Sequence, residues 1–442
     1  MRFFDLRAAA IAAVCVFTPS IGLTQEIILS AKDDDQKVTG TLIEYDGEFF
    51  RVETEFGPVT VDARTVSCEG AGCPAVSDDV EQFNALGDPS ITLPLIEAFA
   101  LFQGGSVSVA GSDPQVVTIT TEGGDALAKI SVSQGSASGL KDGSDTILFS
   151  TLQSANPSNA QVIGLDAVVI AASDVNPVGA ITLDQMRGVL NGSITNWKDL
   201  GSGDSVITVH VADGDAGFQA KVKALGLEPT ASTVVTRHAR MKDLADAVAN
   251  DPFGVAVVPF SGLRTARAMG LRGTCGMHNE AKVFNVQSGS YPLSFALSVS
   301  KPNKRLPIFA REFLEFLETE QAQAVIADLG FGDLGISTRE LDSQGQRLAN
   351  SMMIIGKEVP LKDVREMTAI MSGAQLLSST FRFQAGSTRL DGPSKENAEA
   401  LVAGMILGNY ADKVVYLMGF SDGNGRARQN KALSKERAEA VR

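Results

Sequence analysis

Asp422 and Arg437 stand 15 residues apart in this 442-residue chain. Asp422 follows a strand-like run, Lys413 to Leu417, and Arg437 sits in a helical run, Asn430 to Arg442. A carboxylate accepts hydrogen bonds from an ammonium, and a guanidinium pairs bidentately with a carboxylate. Held together, the two can clamp a zwitterion; read separately, Asp422 caps a turn and Arg437 is a solvated helix charge. A second set of residues suits an anion. Three loops read as preceding helices: Gly87-Asp88-Pro89-Ser90-Ile91-Thr92, Gly135-Ser136-Ala137-Ser138-Gly139 and Asp213-Gly214-Asp215-Ala216-Gly217-Phe218. Backbone N–H groups at helix starts, with hydroxyls beside them, donate to an oxyanion. Ser90, Thr92, Gly135, Ser136 and Ser138 are the candidate donors. Asp213 and Asp215 could instead accept from a protonated or cationic ligand. Serine-rich loops are also common in plain turns.

The positioning elements fall into three regions. Residues 26–75 read as a small β unit: Val38 to Tyr45 is a strand, Asp46-Gly47 a hairpin turn, and Val59 to Asp62 a further strand. Residues 77–338 alternate helix and strand, an α/β pattern. Helices are predicted over Leu93 to Gln103, Leu183 to Leu190, Phe218 to Leu225, Met241 to Asn250 and Leu306 to Leu329. Strands are predicted over Val116 to Thr121, Ala167 to Ala172, Val206 to Val211, Val255 to Pro259 and Ser294 to Ser300. That length suits two lobes with a ligand between them. Residues 340–378 form a polar and helical linker, with a helix over Leu361 to Leu377. Residues 379–442 read as α+β: Phe381-Arg382-Phe383 and Lys413 to Leu417 as strands, Asn397 to Leu407 and Asn430 to Arg442 as helices.

The first 24 residues read as an export signal. Arg2 and Arg7 precede a run of ten apolar residues, Ala8 to Phe17, half of the roughly 20 that span a bilayer. A lipidated Cys15 is the competing reading. Past this leader, Cys68 and Cys73 flank a glycine-containing loop and are expected to pair in an oxidising compartment; zinc binding is the rival, and no histidine has a metal-ligand spacing. Cys275 is left odd. A net charge of −14 argues against nucleic acid, which needs clustered Lys and Arg. No G-x-S-x-G, H-E-x-x-H or Walker loop is present, so the reading is not an enzyme, and no cofactor or metal is expected. His210 falls in a strand and reads as packed. His238, in Arg237-His238-Ala239-Arg240, reads as part of a solvated basic turn, and His278 lies in a loop.

Two resemblances give these residues a context. Gly419-Phe420-Ser421-Asp422, Asn430 and Leu433-Ser434-Lys435-Glu436-Arg437-Ala438 resemble the signature of OmpA-like peptidoglycan-binding domains. The resemblance implies that Asp422, Asn430 and Arg437 hold the diaminopimelate of a wall stem peptide. Phe420 stands where that family often has His, and the domain looks truncated. Gly192-Ser193-Ile194-Thr195-Asn196-Trp197-Lys198-Asp199-Leu200, Ser290-Tyr291-Pro292-Leu293-Ser294 and Pro252-Phe253-Gly254-Val255-Ala256 resemble segments of phosphate-type periplasmic solute-binding proteins. That resemblance implies a two-lobed type II binding fold with two crossings between lobes, a phosphate or related oxyanion as ligand, and a membrane transporter as a possible partner. The third loop departs from it: Ala212, Ala216 and Phe218 replace Arg, Ser and Thr, and in the first loop Asp88 stands where Ser is usual. Together the resemblances imply a periplasmic, wall- or outer-membrane-associated fusion. The alternative is a wall-anchored scaffold that has lost its ligand, with Phe218 plugging the cleft.

Overall fold

The computed structural model describes residues 26–32, 36–74, 80–135, 139–141, 143–151, 159–212, 216–230, 235–273, 278–340, 360–384, 386–420 and 426–442. The expected leader, Ser136, Ser138, Asp213, Cys275 and Asp422 lie outside these residues. The chain divides into two compact units, Met1–Asp79 and Val80–Arg442.

The first unit is one antiparallel sheet of β1 (Glu26–Ala31), β2 (Lys37–Tyr45), β3 (Phe49–Thr54), β4 (Gly57–Asp62) and β5 (Val66–Glu69), in the order β4-β3-β2-β1-β5. Alternating Ile27, Leu29, Phe50 and Val52 form its core, as a one-sided sheet requires. The Asp46 carboxylate accepts from the amides of Glu48 and Phe49 and shapes the β2–β3 turn. A disulfide joins Cys68, on β5, to Cys73.

The second unit contains β6 (Glu81–Leu86), α1 (Pro89–Phe102), β7 (Ser106–Ala110), β8 (Gln115–Thr120), β9 (Ala126–Ser133), β10 (Thr146–Ser150), β11 (Ala160–Ala172), β12 (Ala180–Ile181), α2 (Leu183–Leu190), β13 (Thr208–Ala212), α3 (Ala216–Ala224), β14 (Val235–His238), α4 (Met241–Asn250), β15 (Gly254–Pro259), β16 (Arg267–Ala268), β17 (Gly270–Arg272), β18 (His278–Asn279), α5 (Val283–Gln287), β19 (Ser294–Ser300), α6 (Ile308–Phe316), α7 (Glu320–Asp328), β20 (Thr338–Glu340), α8 (Leu361–Met371), β21 (Gln375–Leu377), α9 (Gly392–Ile406) and α10 (Ala427–Val441). Its main sheet runs β14-β13-β15-β11-β19-β10-β6-β9-β8-β7, with β16 paired to β11.

Two strands carry the chain between lobes. The first half of β11 pairs with β19, and its second half pairs with β15. Strand β19 returns antiparallel to β11 and pairs with β10. On one side lies a core built around Phe99, Phe313 and Phe316, from α1 and α6. On the other, β11, β13 and β15 carry a core on each face. Strand β11 therefore reads as a nearly continuous apolar run, Ala167 to Ala172, all buried.

The conspicuous segment around Trp197 serves this second lobe. Asn196 caps the turn by accepting from the Lys198 amide, and the Trp197 indole donates to the Phe253 carbonyl at 3.0 Å. Trp197 is 2% exposed. The Tyr291 hydroxyl donates to the Val168 carbonyl on β11, so the Tyr-Pro-Leu segment braces the crossing strand.

Several elements differ from the sequence reading. The long helix expected from Leu306 to Leu329 is two helices, because the Thr319 hydroxyl accepts from the Ala322 amide and starts α7 afresh. The helix expected over Leu361 to Leu377 ends at Met371; Gln375–Leu377 instead pairs with β20, joining the two ends of the linker region. The strand expected over Lys413 to Leu417 is not formed. A strand needs a partner, and among the described residues 413–420 has none. Phe381-Arg382-Phe383 contributes a single bridge, Phe383 to Leu390.

Candidate functional site

Strands β9, β6 and β10 are adjacent and parallel. Their C-terminal ends therefore lie on one edge, where ligands gather in open α/β sheets. Two of the sequence-predicted loops start there. The Gly87 amide donates to the Ser133 carbonyl at 3.0 Å, tying the end of β6 to the end of β9. A Cβ at Gly87 would lie 2.8 Å from the Phe149 Cβ, and a Cβ at Gly135 would lie 2.6 Å from the Leu86 Cβ. Only glycine permits this approach. The first loop and the described part of the second are thus brought together.

Inside the first loop the donors are partly spoken for. Asp88 caps α1: its carboxylate accepts from the Ser90 amide at 2.9 Å and from the Ser90 hydroxyl at 2.8 Å. Pro89 occupies the first turn, where its missing N–H costs nothing. Ser90 is exposed, whereas Thr92 is fully buried. The Thr92 hydroxyl donates to the Asp88 carbonyl, so Thr92 braces the helix start from within.

One residue the sequence reading passed over lies at the same edge. Thr151 follows the last residue of β10, two positions after Phe149, whose backbone abuts Gly87. It is 7% exposed, and its hydroxyl has no hydrogen-bond partner among the described residues. Such a buried, unpaired group costs about 1–3 kcal/mol. The only sequence signal was a pair of hydroxyls, Ser150-Thr151, closing an apolar strand.

In the second lobe, α3 follows β13 across the third loop. Phe218 is 2% exposed and packs with Trp197, Val209 and Val222 in the lobe's core. It does not plug a cleft. On the opposite face of β13 lies a relay not anticipated from sequence. His210 Nδ1 is 2.9 Å from His238 Nε2, and His210 Nε2 is 3.1 Å from Asp251 Oδ2. The Asp251 carboxyl is held below the usual range. Burial pushes it up, but the Phe253 amide and the His210 and Thr208 side chains outweigh burial. His238 is half-buried in this relay, a correction to the solvated turn expected for it.

A cavity of about 490 Å³ opens elsewhere, between the turn after β15 (Phe260, Ser261, Leu263) and the segment after α7 (Leu329, Gly330, Phe331). None of the sequence-predicted residues lines it. Beneath it Asp166, on β11, accepts from the Ser261 amide and hydroxyl. Among the described residues no group of three or more His, Cys, Asp or Glu could hold a metal ion, and no helix is long and apolar enough to cross a membrane.

At the C-terminal segment, Asn430 and Arg437 lie two turns apart on α10 and so share a face. The Arg437 guanidinium donates to the Phe420 carbonyl at 3.2 Å and to the Ser387 carbonyl at 3.3 Å. It also stacks over the Phe383 ring, 5.2 Å from its centroid. A Cβ at Gly419 would collide with the Ser434 carbonyl of α10.

The chain has relatives among known proteins. Over 172 residues it is 31% identical to the phosphate-binding protein PstS of Bacillus subtilis (strain 168), covering 37% of this chain and 55% of that protein. Over 185 residues it is 22% identical to the phosphate-binding protein PstS of Borreliella burgdorferi, covering 40% and 66%. The chain thus spans between about half and two thirds of these curated relatives. Among solved structures it is similar to a putative phosphate ABC transporter substrate-binding protein with bound phosphate from Clostridium perfringens. Identity is 19% and the TM-score 0.44, over 58% of this chain and 100% of that one. An ABC-type phosphate transport receptor from Vibrio cholerae is 17% identical with a TM-score of 0.42, over 56% and 98%. Within the chain, residues 132–320 match the family model of the PBP superfamily domain.

Proposed function

We propose that this chain is an exported solute-binding protein for phosphate or a related oxyanion, held at the cell wall by its C-terminal segment. The observation that carries the ligand reading is the Thr151 hydroxyl, 7% exposed and unpaired among the described residues, at the strand edge where the Gly87 and Gly135 loops converge. A buried donor without a partner is uncommon and is satisfied when an acceptor arrives. Gly135, Ser136, Ser138 and Thr151 supply the donors from the first lobe; Ser90, whose amide and hydroxyl go to Asp88, joins them only when Asp88 gives way, and Thr92 stiffens the helix start behind them. In this reading Asp213 accepts from a protonated form of the anion. The sequence relatives named for phosphate binding support this class of ligand.

Wall attachment is supported by Arg437. The guanidinium is fixed against Phe420, two residues before Asp422 in sequence, which suits a paired carboxylate and guanidinium around a diaminopimelate. Asn430 shares the helix face with Arg437. A wall-held receptor captures or senses its anion; delivery to a membrane transporter is the further partner role.

A second reading, a wall-held scaffold without a small ligand, is favoured by Asp88. Its carboxylate already occupies the start of α1, where an anion would sit. Calorimetric titration of the purified chain with phosphate, arsenate and sulfate decides between the two. Binding of one of them upholds the receptor; no heat with any of the three leaves the scaffold.

A further inference from the structure

The relay in the second lobe has a defined proton order. Asp251 is anchored as a carboxylate: Oδ1 accepts from the Phe253 amide at 2.9 Å, and Oδ2 faces His210 Nε2. His210 Nε2 must therefore donate. In a singly protonated ring His210 Nδ1 then accepts, so His238 Nε2 donates to it. That leaves His238 Nδ1 as the open position, with no hydrogen-bond partner among the described residues. A proton added there breaks no bond of the relay. The imidazolium it creates is backed, through His210, by a carboxylate. Gly254 keeps the space open: a Cβ there would lie 3.0 Å from His210 Nε2.

The relay ends at the C-terminal edge of β13 and β14. Strands β13 and β14 are parallel, and His238 is the register partner of Ala212, the last residue of β13. Register partners point to the same face of a sheet. His238 thus stands at the C-terminal end of β14, beside the strand end that leads to α3. Other charged groups surround it: Arg237 beside it on β14, Arg240 before α4, and Lys242 and Asp243 in the first turn of α4. Arg240 and Asp243 are paired with each other at 2.8 and 2.9 Å.

We propose that His238 is the second lobe's contact to the bound oxyanion, and that its protonation makes anion binding proton-linked. This rests on the oxyanion reading above. A neutral His238 offers the anion a lone pair; a protonated one offers a charge-assisted donor, the stronger kind of hydrogen bond. The relay lets the site gain that charge without burying it unpaired.

Sulfate is the test anion because its own charge does not change in this pH range. Calorimetry on the full chain, between about pH 8 and pH 5, is expected to show sulfate binding tightening about tenfold on acidification, with proton uptake read from the buffer dependence of the heat. His238→Gln keeps a donor toward His210 but does not titrate; it should flatten the profile. In the wild-type chain, the imidazole resonances of His238 should shift when sulfate is added. Sulfate binding that is independent of pH, or an unchanged profile in His238→Gln, overturns the role of His238 and leaves the receptor standing. Binding of neither sulfate nor phosphate at any pH overturns the receptor reading, and this inference with it. If His238→Gln does not fold, the sulfate-dependent shift of the wild-type resonances decides alone: no shift ends the proposal.

Discussion

Arg437 donates to the Phe420 carbonyl at 3.2 Å, which joins the middle of α10 to the segment that leads into Asp422. The same guanidinium covers the Phe383 ring. It is therefore oriented before any ligand arrives, and an ordered guanidinium loses less freedom on binding a carboxylate. Arg437→Ala and Asp422→Ala should each weaken retention on purified sacculi by roughly ten- to a hundredfold, the worth of a charged hydrogen bond. Arg437→Lys should recover only part, because one ammonium cannot reproduce the fork. Unchanged co-sedimentation of both alanine variants would remove the wall-binding reading.

Thr151→Val tests the oxyanion edge from two directions. Valine matches threonine in shape and lacks the hydroxyl that finds no partner among the described residues. The ligand-free variant should be more stable by about 1 kcal/mol in urea unfolding, since a buried unsatisfied group is removed. Its phosphate affinity should fall about tenfold. A stabilised variant that binds phosphate as well as wild type would assign Thr151 to packing alone.

Asp88→Asn separates capping from charge. Asparagine caps helices about as well as aspartate, so the melting temperature should change little. The negative charge at the start of α1 disappears, and that end of the helix favours anions. Oxyanion affinity should rise by about five- to tenfold at low salt, with a smaller gain at high salt. An unchanged affinity would place the anion away from α1.

The sequence was most legible where a local rule sufficed. Helix α2 begins at Leu183 and ends at Leu190, as its pattern predicts, because Thr182 and Gln185 form a reciprocal cap. The Trp197 segment marked the fold correctly, yet its residues serve the lobe's interior: Asn196 caps a turn and the indole is buried. The site was less legible. The relay joins residues 28 and 41 positions apart, and neither histidine carries a local signal of the other. Thr151 is notable for lacking a partner among the described residues, which no spacing pattern encodes. The expected strand over Lys413 to Leu417 had the right alternation, but Val414 and Tyr416 stay exposed without a neighbouring strand. Propensity alone does not make a sheet.

Asp166 makes stability depend on pH through the crossing strand β11. The residue is 2% exposed, and burial raises its carboxyl to about 6, although hydrogen bonds from Ser261 and the Ala167 amide pull it down. In the unfolded chain the same group titrates near the ordinary value of about 3.9. Between these values the folded protein holds a proton that the unfolded chain releases. The contribution is therefore fully present below about pH 4 and is lost as pH rises through about 6. Asp166→Asn fixes the neutral form while keeping an acceptor for the Ser261 amide. At neutral pH it should be more stable than wild type by roughly 2–3 kcal/mol, an upper bound set by the size of the shift. The difference between the two proteins should shrink toward zero on acidification to about pH 4. Asp251 titrates with the opposite sign, but it is present in both proteins and cancels from the difference. Paired urea-unfolding curves across this range give the measurement. A gap that stays constant with pH would mean that Asp166 is ionised in the native state throughout, stabilised by Ser261 strongly enough to offset its burial.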